Sequence, residues 1–213
     1  MEENTLKTGT TTVGIKCKDG LVLAADRRAT AGYLVANKKA DKVFALNDRI
    51  VVTISGMVSD AQLLTKLIKA ELKLKAMRGD REVSIKEAAN LLAGLTYSNV
   101  RRPSMIPGIA HFLMGGQDVS GFHLYDLFAD GSVTEIDDFV ASGSGSVFAY
   151  GVMETLYKTA LSVQDGIDLA IKSVNAAMQR DIASGQGIDV MSITKDGVKK
   201  VFEQQLDTNI KVK

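Results

Sequence analysis

The chain has 213 residues, 46% of them hydrophobic, and its 26 basic and 25 acidic residues leave a formal net charge of +1. This length suits one domain with a large core or two small domains, and the balanced charge excludes a broad nucleic-acid or acidic-membrane surface. The single cysteine, Cys17, excludes an internal disulfide and fits a reducing compartment, and no apolar run is long enough to span a bilayer.

The first part of the chain predicts short strands joined by tight turns. β-branched residues dominate residues 10–17, and alternate apolar residues there share one face. A hairpin turn signal at 18–20 precedes residues 21–26, which are apolar on both faces and so predict a strand buried on both sides. A turn is predicted at 30–32, and further strands are predicted at residues 33–36, 42–46 and 49–55.

Two capping-box patterns predict the first pair of helices. Ser59 with Gln62 predicts a helix that stops at Gly79. Ser84 with Glu87 predicts the next, which ends shortly before a proline. The apolar stripe of the first helix comprises Leu64, Leu67, Ile68, Leu72 and Ala76.

Strands and a second pair of helices follow. A glycine- and serine-rich run at 143–146 ends a strand and begins a helix over about 147–157. Ser162 and Asp165 begin the last helix, which is predicted to stop at Ser184 and Gly185. The strands of this half are predicted at residues 109–115, 122–128, 133–136, 139–142, 188–194 and 198–202, and residues 207–213 are predicted to be a loose tail.

The order of these elements predicts an α+β fold. Blocks of strands alternate with pairs of helices, and the recurring hairpin turns favour antiparallel pairing over an alternating parallel α/β fold. Strands that are apolar on both faces need cover above and below. We therefore predict a four-layer α-β-β-α sandwich of two antiparallel sheets, which forms a single domain over residues 10–213.

Three familiar chemistries fit the sequence poorly. His111 and His123 lie in predicted strands and far from the one cysteine, so we expect no metal site. A Ser-His-Asp triad would need one of these histidines, and neither adjoins a glycine-flanked serine elbow. The run at 143–146 lacks the Lys-Ser/Thr ending of a phosphate-binding loop, so we expect no nucleotide either.

A threonine nucleophile fits better. Thr10 directly follows Gly9, and cleavage of the bond between them would leave a hydroxyl and a free α-amine on one residue. The amine, with an ordinary pKa of about 8, could accept the hydroxyl proton, and a lysine held by a carboxylate would stabilise the alkoxide. Asp26 ends the strand predicted to pair with that of Thr10, and Lys42 begins another. Each feature alone has a simpler interpretation as a good strand former or an ordinary surface charge.

Taken together, these residues resemble a known family. Six motifs occur in order: Thr-Gly-Thr-Thr-Thr-Val-Gly at 8–14, Asp26-Arg27-Arg28, Lys42, Ser55-Gly56, Gly143-Ser144-Gly145-Ser146 with Tyr150-Gly151, and Asp181-Ile182-Ala183-Ser184-Gly185. Over residues 8–205 the chain resembles the β-type catalytic subunit of the 20S proteasome, most closely the archaeal form with a short propeptide. The resemblance implies the N-terminal nucleophile hydrolase fold, which agrees with the four-layer prediction.

The resemblance implies catalytic roles for five residues. Thr10 matches the nucleophile, and Gly9 matches the last residue of a propeptide, residues 1–9, that the subunit removes by its own chemistry. Asp26 and Lys42 match the acid and the lysine beside the nucleophile. Gly56 matches the backbone N–H that receives the oxyanion; it lies between a predicted strand and a helix N-terminus, where amide donors favour negative charge, and its missing side chain leaves room for the substrate carbonyl.

It also implies a supporting polar group and a substrate pocket. Ser144, Asp181 and Ser184 match the residues around the threonine amine and a catalytic water, and Arg28 matches a structural residue beside the site. Thr30, with the oxyanion glycine, matches backbone contacts that bind the substrate as an added strand. The first specificity pocket falls on the apolar residues Ala29, Ala40, Ile54 and Val58. We therefore predict cleavage after hydrophobic residues with weak selectivity.

The activity implied is that of a cytoplasmic threonine endopeptidase that degrades unfolded polypeptides without a cofactor. In the family, seven β subunits form a ring, two such rings stack, seven-membered α rings cap them, and a regulatory ATPase acts through the α ring. No nucleic-acid or membrane partner is expected.

Two alternatives remain open. A non-catalytic structural subunit of the same ring would lose the threonine, the lysine or the processing glycine, all of which this chain keeps. An amidohydrolase of the same fold that acts on small amides would not be expected to carry both the Gly-Ser-Gly-Ser and the Asp-x-x-Ser-Gly motifs.

Overall fold

The computed structural model describes residues 9–79 and 81–207. Its strands are β1 (Thr12–Cys17), β2 (Gly20–Asp26), β3 (Ala29–Ala31), β4 (Leu34–Asn37), β5 (Val43–Ala45), β6 (Ile50–Gly56), β7 (Ala110–Asp118), β8 (Gly121–Leu127), β9 (Val133–Ile136), β10 (Phe139–Ser142), β11 (Gly187–Thr194) and β12 (Gly197–Gln205). Its helices are α1 (Val58–Gly79), α2 (Ile85–Val100), α3 (Ser146–Leu156) and α4 (Val163–Met178). Within these residues, no helix is both long and apolar enough to cross a membrane.

Two five-stranded sheets stack face to face. The first has the strand order β10-β1-β2-β11-β12 and the second β5-β6-β7-β8-β9, while β3 and β4 form a separate hairpin. The paired strands of the described residues run antiparallel. Helices α3 and α4 pack on the outer face of the first sheet, and α1 and α2 on that of the second. The predicted four-layer sandwich is therefore confirmed.

Strand β2 shows why both faces of the first sheet are covered. All of its residues are buried. Leu21 and Leu23 face the apolar layer between the sheets, whereas Val22 and Ala24 belong to the core beneath α4. Burying a leucine side chain stabilises a fold by about 1.5–3 kcal/mol relative to leaving it in water. Apolar residues on both faces thus place β2 in the middle of the sandwich, with the polar end of the strand, Asp26, at its edge.

The start of α1 differs from the prediction. The helix begins at Val58, so Ser59 lies inside its first turn and the predicted capping box with Gln62 is wrong. The N–H of Met57 instead donates to the carbonyl of Ile109 at 2.8 Å. Pairing with the chain that enters β7 therefore sets the start of this helix, and this contact overrides the local capping signal.

The end of α4 differs as well. The helix ends at Met178, before the predicted stop at Ser184. In the loop that follows, the Asp181 carboxylate accepts the N–H of Ala183 at 3.2 Å, and the Ser184 N–H donates to the Asp181 carbonyl at 3.2 Å. These bonds satisfy backbone groups outside the helix, so the predicted site residues Asp181 and Ser184 lie on a loop.

Other local predictions had mixed outcomes. The caps at Ser84 and Ser162 are confirmed, since each hydroxyl accepts the backbone N–H three residues later at 3.2 Å. Leu67, predicted in the buried stripe of α1, is 41% exposed. Thr30, predicted in a turn, lies in the short strand β3. Most of the predicted tail, residues 208–213, lies outside the described residues.

Candidate active site

Thr10 lies just before β1 and is buried. Gly9 precedes it in the chain, so the Thr10 nitrogen is an amide, and its N–H donates to Ser144 Oγ at 3.3 Å. The Thr10 hydroxyl donates to the Gly9 carbonyl oxygen at 2.7 Å, and the Thr10 carbonyl accepts the Gly145 N–H at 3.3 Å. The hydroxyl is thereby held beside the carbonyl of the bond predicted to be cut.

Asp26, the last residue of β2, has a fully buried carboxylate with four donors. Oδ1 accepts Lys42 Nζ at 2.7 Å and the Thr11 N–H at 3.0 Å. Oδ2 accepts the N–H groups of Arg28 and Gly185, each at 2.9 Å. Because a buried charge is costly unless it is paired and hydrogen-bonded, this arrangement compensates for the lost hydration and fixes the carboxylate in one orientation.

Lys42 lies just before β5, and its side chain is only 6% exposed. Burial lowers the pKa of its ammonium group, because desolvation disfavours the charged form. The charge and hydrogen bond of Asp26 oppose this shift, as does the charge of Asp181, whereas the charge of Arg28 adds to it. The structure thus brings Asp26 and Lys42 together as predicted and leaves a lysine that gives up its proton more readily than an exposed one.

The three predicted polar residues form one hydrogen-bonded group. Ser144 Oγ and Ser184 Oγ both donate to Asp181 Oδ2, at 2.7 and 2.6 Å. Because the Ser184 proton is used in this way, the hydroxyl of Thr11 is the donor in its 2.7 Å bond to Ser184 Oγ. Ser144 links this group to Thr10, since it accepts the Thr10 N–H while donating to Asp181.

The glycines around Thr10 permit a close approach of three chain segments. A Cβ at Gly143, whose φ is +91°, would lie 2.0 Å from the Thr10 carbonyl oxygen. A Cβ at Gly145 would lie 1.9 Å from Thr11 Oγ1, and one at Gly9 would lie 1.8 Å from the Cβ of Ala183. The Gly-Ser-Gly-Ser run therefore wraps the backbone of Thr10, and its two glycines are required by packing in addition to ending the strand.

A cavity of about 740 Å³ opens beside Thr10. Lys42 and Gly56 line it together with Thr10, so the two sheets contribute to one cavity. All five predicted substrate-binding residues line it: Ala29, Thr30, Ala40, Ile54 and Val58. Three further lysines, Lys39, Lys66 and Lys69, line it together with Asp41, so its walls combine apolar and charged groups.

Comparison with known proteins gives the family. A family model described as "Proteasome subunit" matches residues 6–193. The chain belongs to the proteasome β-subunit family. The proteasome subunit beta of Archaeoglobus profundus is 43% identical over 93% of this chain and 91% of its own length. The proteasome subunit beta of Methanothermobacter thermautotrophicus is 43% identical over 98% of this chain and 97% of its own length. That of Methanosphaerula palustris is 44% identical over 97% of this chain and 95% of its own length. The two five-stranded sheets and four helices agree with the N-terminal nucleophile hydrolase sandwich of proteasome subunits.

Gly56 lies where predicted, and two features of the structure give this β subunit a further reason to have glycine there. The residue ends β6, two positions before α1, and its φ is +96°. An added Cβ would lie 2.5 Å from the carbonyl oxygen of Ile109. Both the backbone conformation and this contact require glycine, whereas the sequence argument invoked room for a substrate carbonyl.

Sequence reasoning missed two sets of residues in this β subunit. Thr11 supports the site because its N–H donates to Asp26 and its hydroxyl bonds Ser184. The only sequence signal at this residue was the β-branched character of residues 10–12, which indicates a strand and not a site. The second set lies on α1 and lines the cavity at helical spacing, a signal that could have identified it: Ala61, Gln62, Thr65, Lys66 and Lys69.

Arg28 contacts the loop after α4, in agreement with the structural role that the resemblance implies. Its guanidinium donates to the carbonyl of Ile182 at 2.7 Å. A Cβ at Gly185 would lie 2.4 Å from the same guanidinium, so the side chain crosses that glycine closely. Arg28 thereby holds the loop that carries Asp181 and Ser184 against the end of β2.

The structure aligns a serine, a histidine and an aspartate, but not as the catalytic triad that the sequence argument set aside. Ser142 Oγ lies 2.8 Å from His111 Nδ1, and His111 Nε2 bonds the carboxylate of Asp126. Ser142 is 3% exposed and does not line the cavity, so it is not placed to attack a substrate. Among residues 9–79 and 81–207, no three His, Cys, Asp or Glu side chains are grouped to hold a metal ion.

Proposed function

We propose that this β subunit is a threonine endopeptidase of the proteasome core particle, activated by cleavage between Gly9 and Thr10. The observation that supports the proposal best is the buried Asp26–Lys42 pair at 2.7 Å, in which Lys42 lines one cavity with Thr10. A buried lysine with a lowered pKa beside a threonine at the start of a strand is difficult to explain as packing alone.

Maturation would begin with attack of Thr10 Oγ on the Gly9 carbonyl carbon. The C–N bond between Gly9 and Thr10 breaks as the ester to Oγ forms, and the nitrogen gains a proton to become the α-amine. Water then hydrolyses the ester and releases residues 1–9. Before cleavage the Thr10 nitrogen is an amide without a basic lone pair, so a water held by Ser144, Asp181 and Ser184 would act as the base.

Substrate cleavage would use the same hydroxyl. The α-amine of mature Thr10 takes the proton from Oγ as it attacks the substrate carbonyl, and it then passes that proton to the departing amine. The Lys42 ammonium stabilises the alkoxide and is oriented by Asp26, while the Gly56 N–H receives the oxyanion. Hydrolysis of the resulting ester by water regenerates the hydroxyl.

The apolar wall of the cavity supports the proposed preference for a hydrophobic residue before the cut bond. Ala29, Ala40, Ile54 and Val58 supply its apolar wall. Backbone contacts from Thr30 and Gly56 would bind an extended peptide without regard to its side chains, which suits unfolded polypeptides of any sequence. This chemistry needs no metal or nucleotide in the subunit.

We further propose the assembly that the family resemblance implies. Seven copies would form a ring, two rings would stack, and α rings would cap them, with a regulatory ATPase delivering unfolded chains through the α ring in the cytoplasm. Residues 1–9 would keep the nucleophile latent until assembly, and residues 10–213 would form the mature domain.

The test compares three forms of the subunit assembled with its α partner. Thr10→Val preserves side-chain shape without the hydroxyl, so we expect hydrolysis of an apolar fluorogenic peptide to fall to background and residues 1–9 to be retained in the intact mass. Thr10→Ser, which keeps a hydroxyl and can keep an α-amine, is expected to be processed and active.

A wild-type particle that retains residues 1–9 and hydrolyses nothing would instead support the alternative, a non-catalytic structural β-ring subunit. Full activity of Thr10→Val would show that another residue is the nucleophile.

A further inference from the structure

Four side chains form a hydrogen-bonded series between the two sheets. Ser55 Oγ on β6 lies 2.8 Å from Ser142 Oγ on β10, which lies 2.8 Å from His111 Nδ1 on β7. His111 Nε2 bonds the carboxylate of Asp126 on β8. We call these four residues the inter-sheet series. On β7, β8 and β10, the residues two positions from the series belong to the apolar layer between the sheets: Leu113, Leu124 and Val140. On β6 the corresponding residue is Thr53.

The inter-sheet series ends next to two predicted site residues. Ser55 directly precedes Gly56 and lines the cavity, and Ser142 lies two residues before Ser144. Gly56 ends β6 of the second sheet, whereas Ser144 follows β10 and Thr10 precedes β1, both of which are strands of the first sheet. The apolar contacts between the sheets have no direction of their own, whereas these hydrogen bonds are directional and can fix the relative position of the two halves of the site.

The direction of each hydrogen bond follows from the carboxylate. We assign the tautomer of His111 with its proton on Nε2, because the Asp126 carboxylate can only accept there, and in this tautomer Nδ1 is an acceptor. Ser142 must then donate to Nδ1, and Ser55 must donate to Ser142. Asp126 thus sets the tautomer of His111, and the ring sets the orientation of both buried hydroxyls.

We infer that the inter-sheet series positions the Gly56 amide relative to Thr10, with His111 as its central positioning residue. The inference rests on the proposed function. Ser142 is not a nucleophile here, because it is buried and its hydroxyl is engaged on both sides. A small displacement of an oxyanion donor weakens transition-state binding more than substrate binding, so the series should affect kcat rather than KM.

The test uses two substitutions at His111 that differ in chemistry. In His111→Asn the side-chain amide can occupy the position of Nδ1 and keep the bond to Ser142, whereas His111→Leu fills similar space without a polar atom. In matured particles we expect kcat of His111→Leu to fall about tenfold with KM changed less than about twofold, and His111→Asn to recover most of the loss.

His123 provides the matched control. It lies on β8, as Asp126 does, and its Nδ1 bonds Glu135 at 2.7 Å within the second sheet alone. His123→Gln is expected to keep wild-type kcat and KM. Ser55→Ala removes only the last link of the series, and we expect the same selective fall in kcat; it decides the question if His111→Leu fails to assemble.

Three results would overturn the inference: wild-type kcat in matured His111→Leu or Ser55→Ala particles, a change confined to KM, or equal impairment of His111→Asn and His111→Leu, which would indicate packing alone. Wild type and Thr10→Val are measured alongside. Failure of the proposed function would appear as an inactive wild type, whereas failure of this inference leaves wild type active.

Discussion

Two charge clusters lie side by side at the end of β2 and have different surroundings. The Asp26 carboxylate is fully buried, and its one cationic partner, Lys42, is 6% exposed. The next residue, Arg27, is the centre of a second, partly exposed cluster, which we call the outer cluster. Its carboxylate partners are Asp41 at 3.4 Å, Asp189 at 3.4 Å and Glu203 at 2.6 Å, and Lys200 joins the cluster through Asp189 and Glu203.

The lysines of the two clusters show what this difference does. Burial lowers the pKa of Lys42 despite the charge of Asp26. At Lys200 burial also acts to lower the pKa, but hydrogen bonds and charges from Glu203 and Asp189 outweigh it, so the pKa is raised. A buried pair with one counterion thus leaves a lysine whose pKa is lowered, whereas the shared, half-exposed cluster raises the pKa of Lys200, which bonds Asp189 and so links β12 to β11.

The largest expected difference is in activity. Lys42→Met removes the cation beside Thr10, and we expect kcat/KM for peptide hydrolysis to fall by about 10³-fold or more. Lys200→Met removes a lysine of the outer cluster and should leave kcat/KM within about twofold of wild type. Measurement on matured particles checks both; an active Lys42→Met would remove the lysine from the mechanism.

The two clusters should also differ in how much they contribute to the free energy of unfolding. Asp26→Asn leaves Lys42 buried without its counterion and replaces an acceptor with a donor facing backbone N–H groups. We expect a loss of about 3–5 kcal/mol in the free energy of unfolding, measured by denaturant titration of the unassembled subunit. Glu203→Gln should cost far less, because its carboxylate is 49% exposed and Arg27 keeps two other partners. Equal losses would contradict the distinction.

The pH dependence of activity should sharpen the comparison further. The mechanism needs Lys42 charged, so activity should decline as the pH rises through its folded pKa, which burial places below the ordinary 10.5. We therefore expect the basic limb of the kcat/KM profile of matured particles to lie below that value. In Lys200→Met the limb should be unchanged. A profile that stays flat up to pH 10.5 would contradict the assignment.

The fold could be predicted where local signals and packing agree. The cap at Ser84 and the doubly apolar strand β2 are examples, because the hydroxyl and the side chains specify their surroundings without reference to distant residues. The start of α1 could not, because Met57 bonds Ile109, which is far away in sequence. A capping pattern two positions further along the chain was then the stronger local signal.

The site was predictable as a set of residues but not as a geometry. Asp26 and Lys42 are separated by the β3–β4 hairpin, and nothing local in the sequence specifies their 2.7 Å contact. Thr11 was missed because its bonds to Asp26 and Ser184 form only when three chain segments meet. His111 was considered only as a metal ligand or a triad base, since its hydrogen-bond partners, Ser142 and Asp126, lie on two other strands that are distant in sequence.

The most direct test of the central claim is to map the adduct of an electrophilic peptide in the assembled particle by intact and fragment mass. The account predicts a chain that has lost residues 1–9 and carries one inhibitor on Thr10, with the outer cluster unmodified. A particle that hydrolyses peptides while Gly9 is still joined to Thr10, or an adduct on any other residue, would contradict it.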